Sequence, residues 1–165
     1  MLKKIIVSLI ILSTSLSCGI KVSAEDFNQI EKLFSLRTAI TDQGIMLPEK
    51  IKSVQGNDVR TLERIFEMET SVLTTIEAYF RILMIAVSTK SETNPETIKI
   101  LNGWLEFIES QCGFDINYLN EALKETSNPD VIEQINIAKR NSENLAEIVE
   151  KSVKENNNLI GKTIE

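Results

Sequence analysis

Apolar side chains recur every three or four residues along most of the chain after residue 25. This spacing places them on one face of an α-helix, which completes a turn in about 3.6 residues. We find no segment in which apolar and polar residues alternate between turn-forming residues, as they do in a half-buried β-strand. The sequence therefore predicts an all-α fold.

Two similar tripeptides indicate helix starts in the second half of the chain. Residues 94–96 are Asn-Pro-Glu and residues 128–130 are Asn-Pro-Asp. In each tripeptide, the asparagine is a good N-cap. The proline suits the first helical position, because the N–H group that it lacks would have no hydrogen-bond partner within the helix. The acidic residue lies near the positive end of the helix dipole. A third start is expected at Asn57 or Asp58, for a long helix that ends near residue 88.

Residues that normally interrupt helices divide the pattern further. Gly44 is expected to end the first helix, Pro48 to open a short turn of helix that ends near Gly56, and Gly113 to end the third helix. Asp115 then caps a new helix, against which Phe114 packs. With loops of about three to twelve residues, these segments predict an antiparallel helical bundle of about five helices, with an extra short helix.

The second half of the longest helix has an unusual composition. Nearly every residue in 78–87 is apolar. A helix that is hydrophobic on all sides is normally surrounded by neighbours. We therefore expect this segment at the centre of the fold.

The N-terminal residues have the order of an export signal. Two lysines at the start are followed by an apolar run, residues 5–12, and by a small polar stretch, residues 13–17. The apolar run is short for a membrane span, which needs about 20 residues. The sequence therefore predicts a signal peptide and an exported protein, periplasmic or secreted, rather than one with a retained membrane anchor.

Two cleavage sites compete. Residues 22–24, Val-Ser-Ala, suit ordinary signal peptidase, whereas the sequence before Cys18 resembles a bacterial lipobox, in which the cysteine is lipidated. Ser15 departs from the lipobox because an apolar residue is usual there. We expect a signal peptide at 1–24, a helical domain at 25–155 and a loose tail at 156–165.

Charge and composition exclude several function classes. The chain has 18 basic and 24 acidic residues, and because the leader holds three of the lysines, the rest of the chain carries a net charge of −9. Such a surface repels phosphate backbones, which argues against nucleic-acid binding. Histidine is absent, so imidazole bases and the commonest zinc sites are excluded. No phosphate-binding loop, cysteine pair or calcium loop occurs, and we expect no cofactor and no metal.

Two charged residues lie within apolar helical stripes. Arg37 lies among the apolar residues of the first helix, and Glu69 lies among those of the second. One interpretation is that they form a structural ion pair, or that each reaches water at an end of the bundle. The other is a polar site in which Glu69 accepts a proton or binds a cation and Arg37 binds an anion. We assign no catalytic residue.

The third helix carries the remaining candidates. Cys112 lies on its core stripe and is expected to be either a packed thiol or half of an intermolecular disulfide. Ile100, Trp104 and Phe107 form a second apolar stripe on roughly the opposite side. They are either core, if the helix lies between two others, or a patch that a partner buries.

These features favour a non-catalytic binding protein of the bacterial envelope or secreted fraction, of the inhibitor, immunity, adaptor or chaperone type. Its partner would be another protein or a small ligand. A membrane would be involved only if Cys18 is lipidated or the leader is retained. The alternatives are a carboxylate-dependent enzyme centred on Glu69 and a lipid-anchored structural protein of the envelope.

Overall fold

The computed structural model describes residues 24–89, 91 and 94–163, and the side chains of 29–89, 91 and 94–158. The predicted signal peptide, with Cys18, lies outside this range except for Ala24. The described part contains four α-helices and no strand: α1 (Ala24–Ser53), α2 (Asn57–Ser88), α3 (Pro95–Glu125) and α4 (Pro129–Thr163). The prediction of an all-α fold is confirmed, and the described part of the chain contains four helices where about five were predicted.

The predicted breaks fail because tertiary packing outweighs local helix propensity. α1 continues through Gly44 and Pro48, and Leu47, between them in this turn, is completely buried. Likewise α3 continues through Gly113. Phe114, which was expected to pack back onto a new helix, lies within α3 with 74% of its surface exposed. The energy of burying an amphipathic face exceeds the cost of about 1 kcal/mol for a glycine, or about 3 kcal/mol for a proline, inside a helix.

The helices bury their apolar faces in two core clusters, each with side chains from all four helices. The first core cluster consists of Leu33, Leu36, Ile40, Val72, Ile76, Tyr79, Leu101, Leu105, Ile108, Cys112, Leu145 and Val149. The second consists of Leu47, Leu62, Ile65, Met68, Leu119, Ala122, Val131, Ile135 and Ala138. Along α1 and α3 the chain passes from the first cluster to the second, and along α2 and α4 it passes back. Successive helices therefore run in opposite directions.

Each helix packs against its two neighbours: α1 contacts α2 and α4, and α3 contacts the same two helices. α2 and α4 also touch across the core. At one end, the Asp58 carboxylate accepts hydrogen bonds from Thr126 at 2.7 Å and from Asn128 at 3.2 Å. The start of α2 is thereby joined to the loop between α3 and α4.

The start of α3 follows the predicted capping chemistry. The Asn94 side chain accepts hydrogen bonds from the backbone N–H groups of Glu96, at 2.9 Å, and Thr97, at 3.4 Å. α4 continues to Thr163, beyond the position at which the sequence predicts a loose tail. Asn156 and Asn157 there exchange side-chain hydrogen bonds with Asn102 of α3.

The apolar second half of α2 is less enclosed than the sequence predicts. Met84 is 48% exposed and Ile85 is 62% exposed, so only one side of this segment faces neighbouring helices. Within the described part of the chain, α2 is the one helix whose length and hydropathy would suffice to cross a membrane. Nine of its residues are nevertheless buried, among them Leu62, Ile65 and Ile76.

Candidate functional site

A layer of polar side chains separates the two core clusters. It contains Gln43 from α1, Glu69 from α2, Asp115 from α3, and Gln134 and Asn141 from α4. All but Asp115 have less than a tenth of their surface exposed. We call these five residues the polar layer. Every helix therefore contributes a polar group at the level where an uninterrupted apolar core would be expected.

The three amides of the polar layer satisfy one another. The Gln43 side-chain nitrogen donates to the backbone oxygen of Gln134 at 2.9 Å and to its side-chain oxygen at 3.3 Å. Asn141 donates to the Gln43 side-chain oxygen at 3.1 Å. These bonds join α1 to α4 across the core, and buried amides paired in this way carry little penalty.

Glu69 is different because neither of its carboxyl oxygens has a hydrogen-bond partner. It is 6% exposed and faces a cavity of about 10 Å³ whose wall also includes Asp115, Asn141 and Ser142. That volume is about what one water molecule requires. The backbone of α1 passes nearby, because a Cβ on Gly44 would lie 3.9 Å from Glu69 Oε2.

The surroundings determine the charge of the two carboxyl groups. Burial raises the pKa of Glu69 to about 8, the Asn141 amide opposes this rise, and Asp115 adds to it. Burial also raises the pKa of Asp115 to about 6, and Arg64 opposes that rise. At neutral pH Glu69 is therefore a neutral acid beside a largely ionised Asp115.

Arg37 does not meet Glu69. Its guanidinium forms an ion pair with Glu77, two turns further along α2, and lies 5.4 Å from the centre of the Phe34 ring. A third of the Arg37 side chain and two fifths of the Glu77 side chain are exposed. The proposed pairing of Arg37 with Glu69 is therefore wrong, and Arg37 belongs to a surface contact between α1 and α2.

The outward face of α3 is the second unusual feature. Ile100, Phe107 and Phe114 are 56%, 53% and 74% exposed. Trp104 is half-buried and packs against the first core cluster. The exposed apolar patch on α3 therefore extends from Ile100 to Phe114, with Trp104 at its edge. The sequence pattern missed Phe114 because a helix break was predicted just before it.

Cys112 is completely buried in the first core cluster and is a free thiol. Burial, with a smaller contribution from Asp115, raises its pKa to about 12. The thiol therefore remains protonated, and no part of its surface can reach a second chain in this structure.

An open groove of about 540 Å³ runs between α1 and α4. Lys32, Asn144 and Lys151 contribute to its polar walls, and Leu36 and Ile148 to its apolar part. Its volume is in the range of pockets that bind small molecules.

No protein-family model matches the sequence, and no match is found among curated proteins or solved structures. Within the part that the structure describes, no group of three or more acidic or cysteine side chains is placed to hold a metal ion. The candidate sites are therefore the polar layer with its cavity, the exposed face of α3 and the open groove between α1 and α4.

Proposed function

We propose that the protein is an exported, non-catalytic binding protein, an antiparallel four-helix bundle that binds another protein through the exposed face of α3. The observation that carries the proposal is the exposure of Ile100, Phe107 and Phe114, each more than half accessible. Large apolar side chains that are exposed together on one surface commonly mark an interaction site, whereas singly exposed apolar side chains do not.

The energetics of the patch support a protein partner. Complete burial of a phenylalanine or isoleucine side chain is worth about 1.5–3 kcal/mol. Because each of the three is already partly covered, a partner would gain about 1 kcal/mol or more from each. Phenylalanine is stiff and large, so its burial costs little conformational entropy, and aromatic side chains are common at the centres of interfaces.

The polar layer gives less support to catalysis. Glu69 has the raised pKa of a general acid, but its cavity admits about one water molecule. A substrate would require the helices around this cavity to separate. The proposal that the protein is exported depends on the predicted signal peptide, residues 1–24. The exposed face of α3 would serve an inhibitor, an immunity factor, an adaptor or a chaperone equally.

The proposal is tested by capturing partners from the envelope fraction with the purified protein. Phe107→Ser should reduce the recovered partner at least tenfold. Ile45→Ser removes a side chain that is 69% exposed on α1 and serves as the control, which should leave recovery unchanged. Equal recovery with both variants, or recovery lost with both, would contradict the proposed surface. Thermal unfolding of each variant confirms that the fold is intact.

A lipid anchor is tested separately. Membrane fractionation of Cys18→Ser should leave the distribution of the protein unchanged if processing occurs after Ala24. Release of the protein from membranes in this variant would favour the lipid-anchored alternative.

A further inference from the structure

We propose that the cavity beside Glu69 binds one divalent cation of the size of Ca²⁺, through the carboxyl groups of Glu69 and Asp115 and the hydroxyl group of Ser142. The site lies in the polar layer and is independent of the surface on α3 that the proposed function uses. The inference is carried by the Glu69 carboxyl group, which lines the cavity and has no hydrogen-bond partner for either oxygen.

The two oxygens of Glu69 are buried acceptors that lack donors. Only 6% of the residue is exposed, so bulk water does not supply them. The neighbouring amides are committed elsewhere, because Gln43 donates to Gln134 at 2.9 Å and Asn141 donates to Gln43 at 3.1 Å. An ionised carboxyl group in such a place is costly unless it is paired or coordinates a metal ion. A cation in the cavity would provide the missing partner.

Two further oxygen-bearing side chains reach the same cavity. Glu69 enters it from α2, Asp115 from α3 and Ser142 from α4. Apart from these three residues and Asn141, the wall is apolar. The cavity of about 10 Å³ accommodates one particle of the size of a water molecule, so an ion there would contact oxygens from three helices. Because the three residues are far apart in sequence, no local motif indicates the site, and the sequence predicts no metal.

The lining favours calcium over the other common divalent cations. Its ligand atoms are all oxygens, which hard cations prefer, whereas zinc prefers the nitrogen of histidine and the sulfur of cysteine. Magnesium normally keeps several water molecules in an octahedral shell, and a cavity of this size has no room for them. Calcium accepts irregular sets of carboxylate and neutral oxygens at about 2.3–2.6 Å. A water molecule beside Asp115, which is only partly buried, would add to its shell.

The charges of the site also suit a divalent cation. Two ionised carboxyl groups carry two negative charges, which one Ca²⁺ neutralises, so that no net charge remains in the core. Arg64, the basic residue that acts on Asp115, is exposed and forms an ion pair with Glu67 at 3.1 Å. It therefore does not take the place of a bound ion. Without a cation, a proton neutralises Glu69, because burial raises the pKa of this carboxyl group to about 8.

Calcium titration by isothermal calorimetry tests the site, with the purified protein freed of metal by EDTA and held at about pH 8, near the pKa of Glu69. We expect one Ca²⁺ per chain with a dissociation constant of about 1 mM or tighter, the range of extracellular calcium modules. Glu69→Gln and Asp115→Asn keep the shape of the side chain and remove a negative charge, so each should weaken binding by about tenfold or more. Glu63→Gln alters an exposed carboxyl group of α2 and should leave binding unchanged.

Thermal unfolding gives a second measurement. Because Ca²⁺ would join α2, α3 and α4 only in the folded state, CaCl₂ should raise the unfolding temperature of the unchanged protein and of Glu63→Gln by several degrees. The same salt should not raise it for Glu69→Gln. Circular dichroism shows that each variant retains its helices.

Three results would overturn the inference. Absence of saturable binding up to about 10 mM CaCl₂ would mean that the cavity holds water alone. Equal binding by Glu69→Gln would place the ion on the acidic surface instead. Binding of MgCl₂ as tight as that of CaCl₂ would reject a site selected for the larger ion. None of these results bears on the capture of a partner through α3, so the proposed function is tested separately.

Discussion

The polar layer and the exposed apolar patch on α3 are opposite exceptions to the usual distribution of residues. The polar layer places amides and carboxyl groups inside the core, and the exposed apolar patch places phenylalanine and isoleucine outside it. Inside, Gln43, Gln134 and Asn141 satisfy one another, while Glu69 has no partner. On the surface, packing within the chain does not account for the apolar side chains, because they are largely exposed.

The difference separates two properties of the molecule. A buried polar group affects the free energy of unfolding, because its desolvation must be compensated each time the chain folds. An exposed apolar group changes the free energy of unfolding little, since water reaches it in both the folded and the unfolded state. It contributes to the free energy of binding when a partner covers it. Substitutions in the polar layer should therefore change stability, and those in the exposed apolar patch on α3 should change binding of a partner protein.

Glu69→Gln should have the largest effect and should depend on pH. Because the folded-state pKa of Glu69 is about 8, against an ordinary value of 4.5, the folded state holds the proton more tightly than the unfolded state. The stability that this carboxyl group contributes is present below about pH 4.5 and is lost as the pH rises to about 8. The variant cannot ionise, so its advantage over the unchanged protein should grow by up to about 1.4 kcal/mol per pH unit in this window.

Urea unfolding at several pH values measures this difference. Data above about pH 6.5 are the most specific, because Asp115, whose pKa is about 6, is mostly ionised there. Glu63→Gln changes an exposed glutamate of α2 and should give no pH-dependent difference. A difference for Glu69→Gln that is constant between pH 5 and 8 would show that this carboxyl group is not buried as described.

Gln43→Ala should be the next largest change. It removes the donor to Gln134 and the acceptor for Asn141, which leaves buried polar groups without partners. The expected loss is about 2–3 kcal/mol in the free energy of unfolding. Gln55→Ala, in the exposed loop between α1 and α2, is the matched control and should change stability by less than about 0.5 kcal/mol. Similar losses for both would mean that the amide network contributes nothing.

Gly103→Ala should separate the two properties within one residue. The added Cβ meets no other atom, so the free energy of unfolding should rise by about 1 kcal/mol, while the methyl group added between Ile100 and Phe107 should weaken capture of a partner protein. Gly113→Ala is matched to it, because its Cβ would also meet no atom and it lies on a different side of α3 from Ile100 and Phe107. It should raise stability without changing partner capture. A fall in stability for both would contradict the helical environment of these glycines.

Arg37→Met should have the smallest effect. The ion pair with Glu77 is partly exposed, and such pairs contribute about 0.2–1 kcal/mol. In double-mutant cycles, Arg37→Met and Glu69→Gln should be additive, whereas Arg37→Met and Glu77→Gln should not. Coupling between Arg37 and Glu69 instead would restore the ion pair that the sequence suggested.

The sequence predicts the helical class because the spacing of apolar residues is a local property that packing reinforces. It predicts too many helices because the cost of Gly44, Pro48 or Gly113 is also local, whereas the burial of Leu47 and Cys112 that outweighs it depends on other helices. The exposure of Met84 has the same cause. An apolar composition is a local property of the segment, whereas the number of helices packed around it depends on the rest of the fold.

The candidate sites were predictable to different degrees. Glu69 is identifiable from sequence because a charge inside an apolar stripe is conspicuous, and Ile100 and Phe107 because they form a second stripe. Gln43, Gln134 and Asn141 are neutral, and their contacts join residues about 90 or more positions apart. No periodicity indicates such pairs. Arg37 was assigned the wrong partner because helical spacing defines a face but not the level at which two faces meet.

Trp104 allows the most direct test, because it is the one tryptophan of the chain and lies at the edge of the exposed apolar patch on α3. Quenching of its fluorescence by acrylamide, measured before and after addition of the captured partner, reports whether this face becomes covered. The quenching constant should fall when the partner is added to the unchanged protein and should stay constant for Phe107→Ser. A quenching constant that the partner does not change in the unchanged protein would contradict binding through α3.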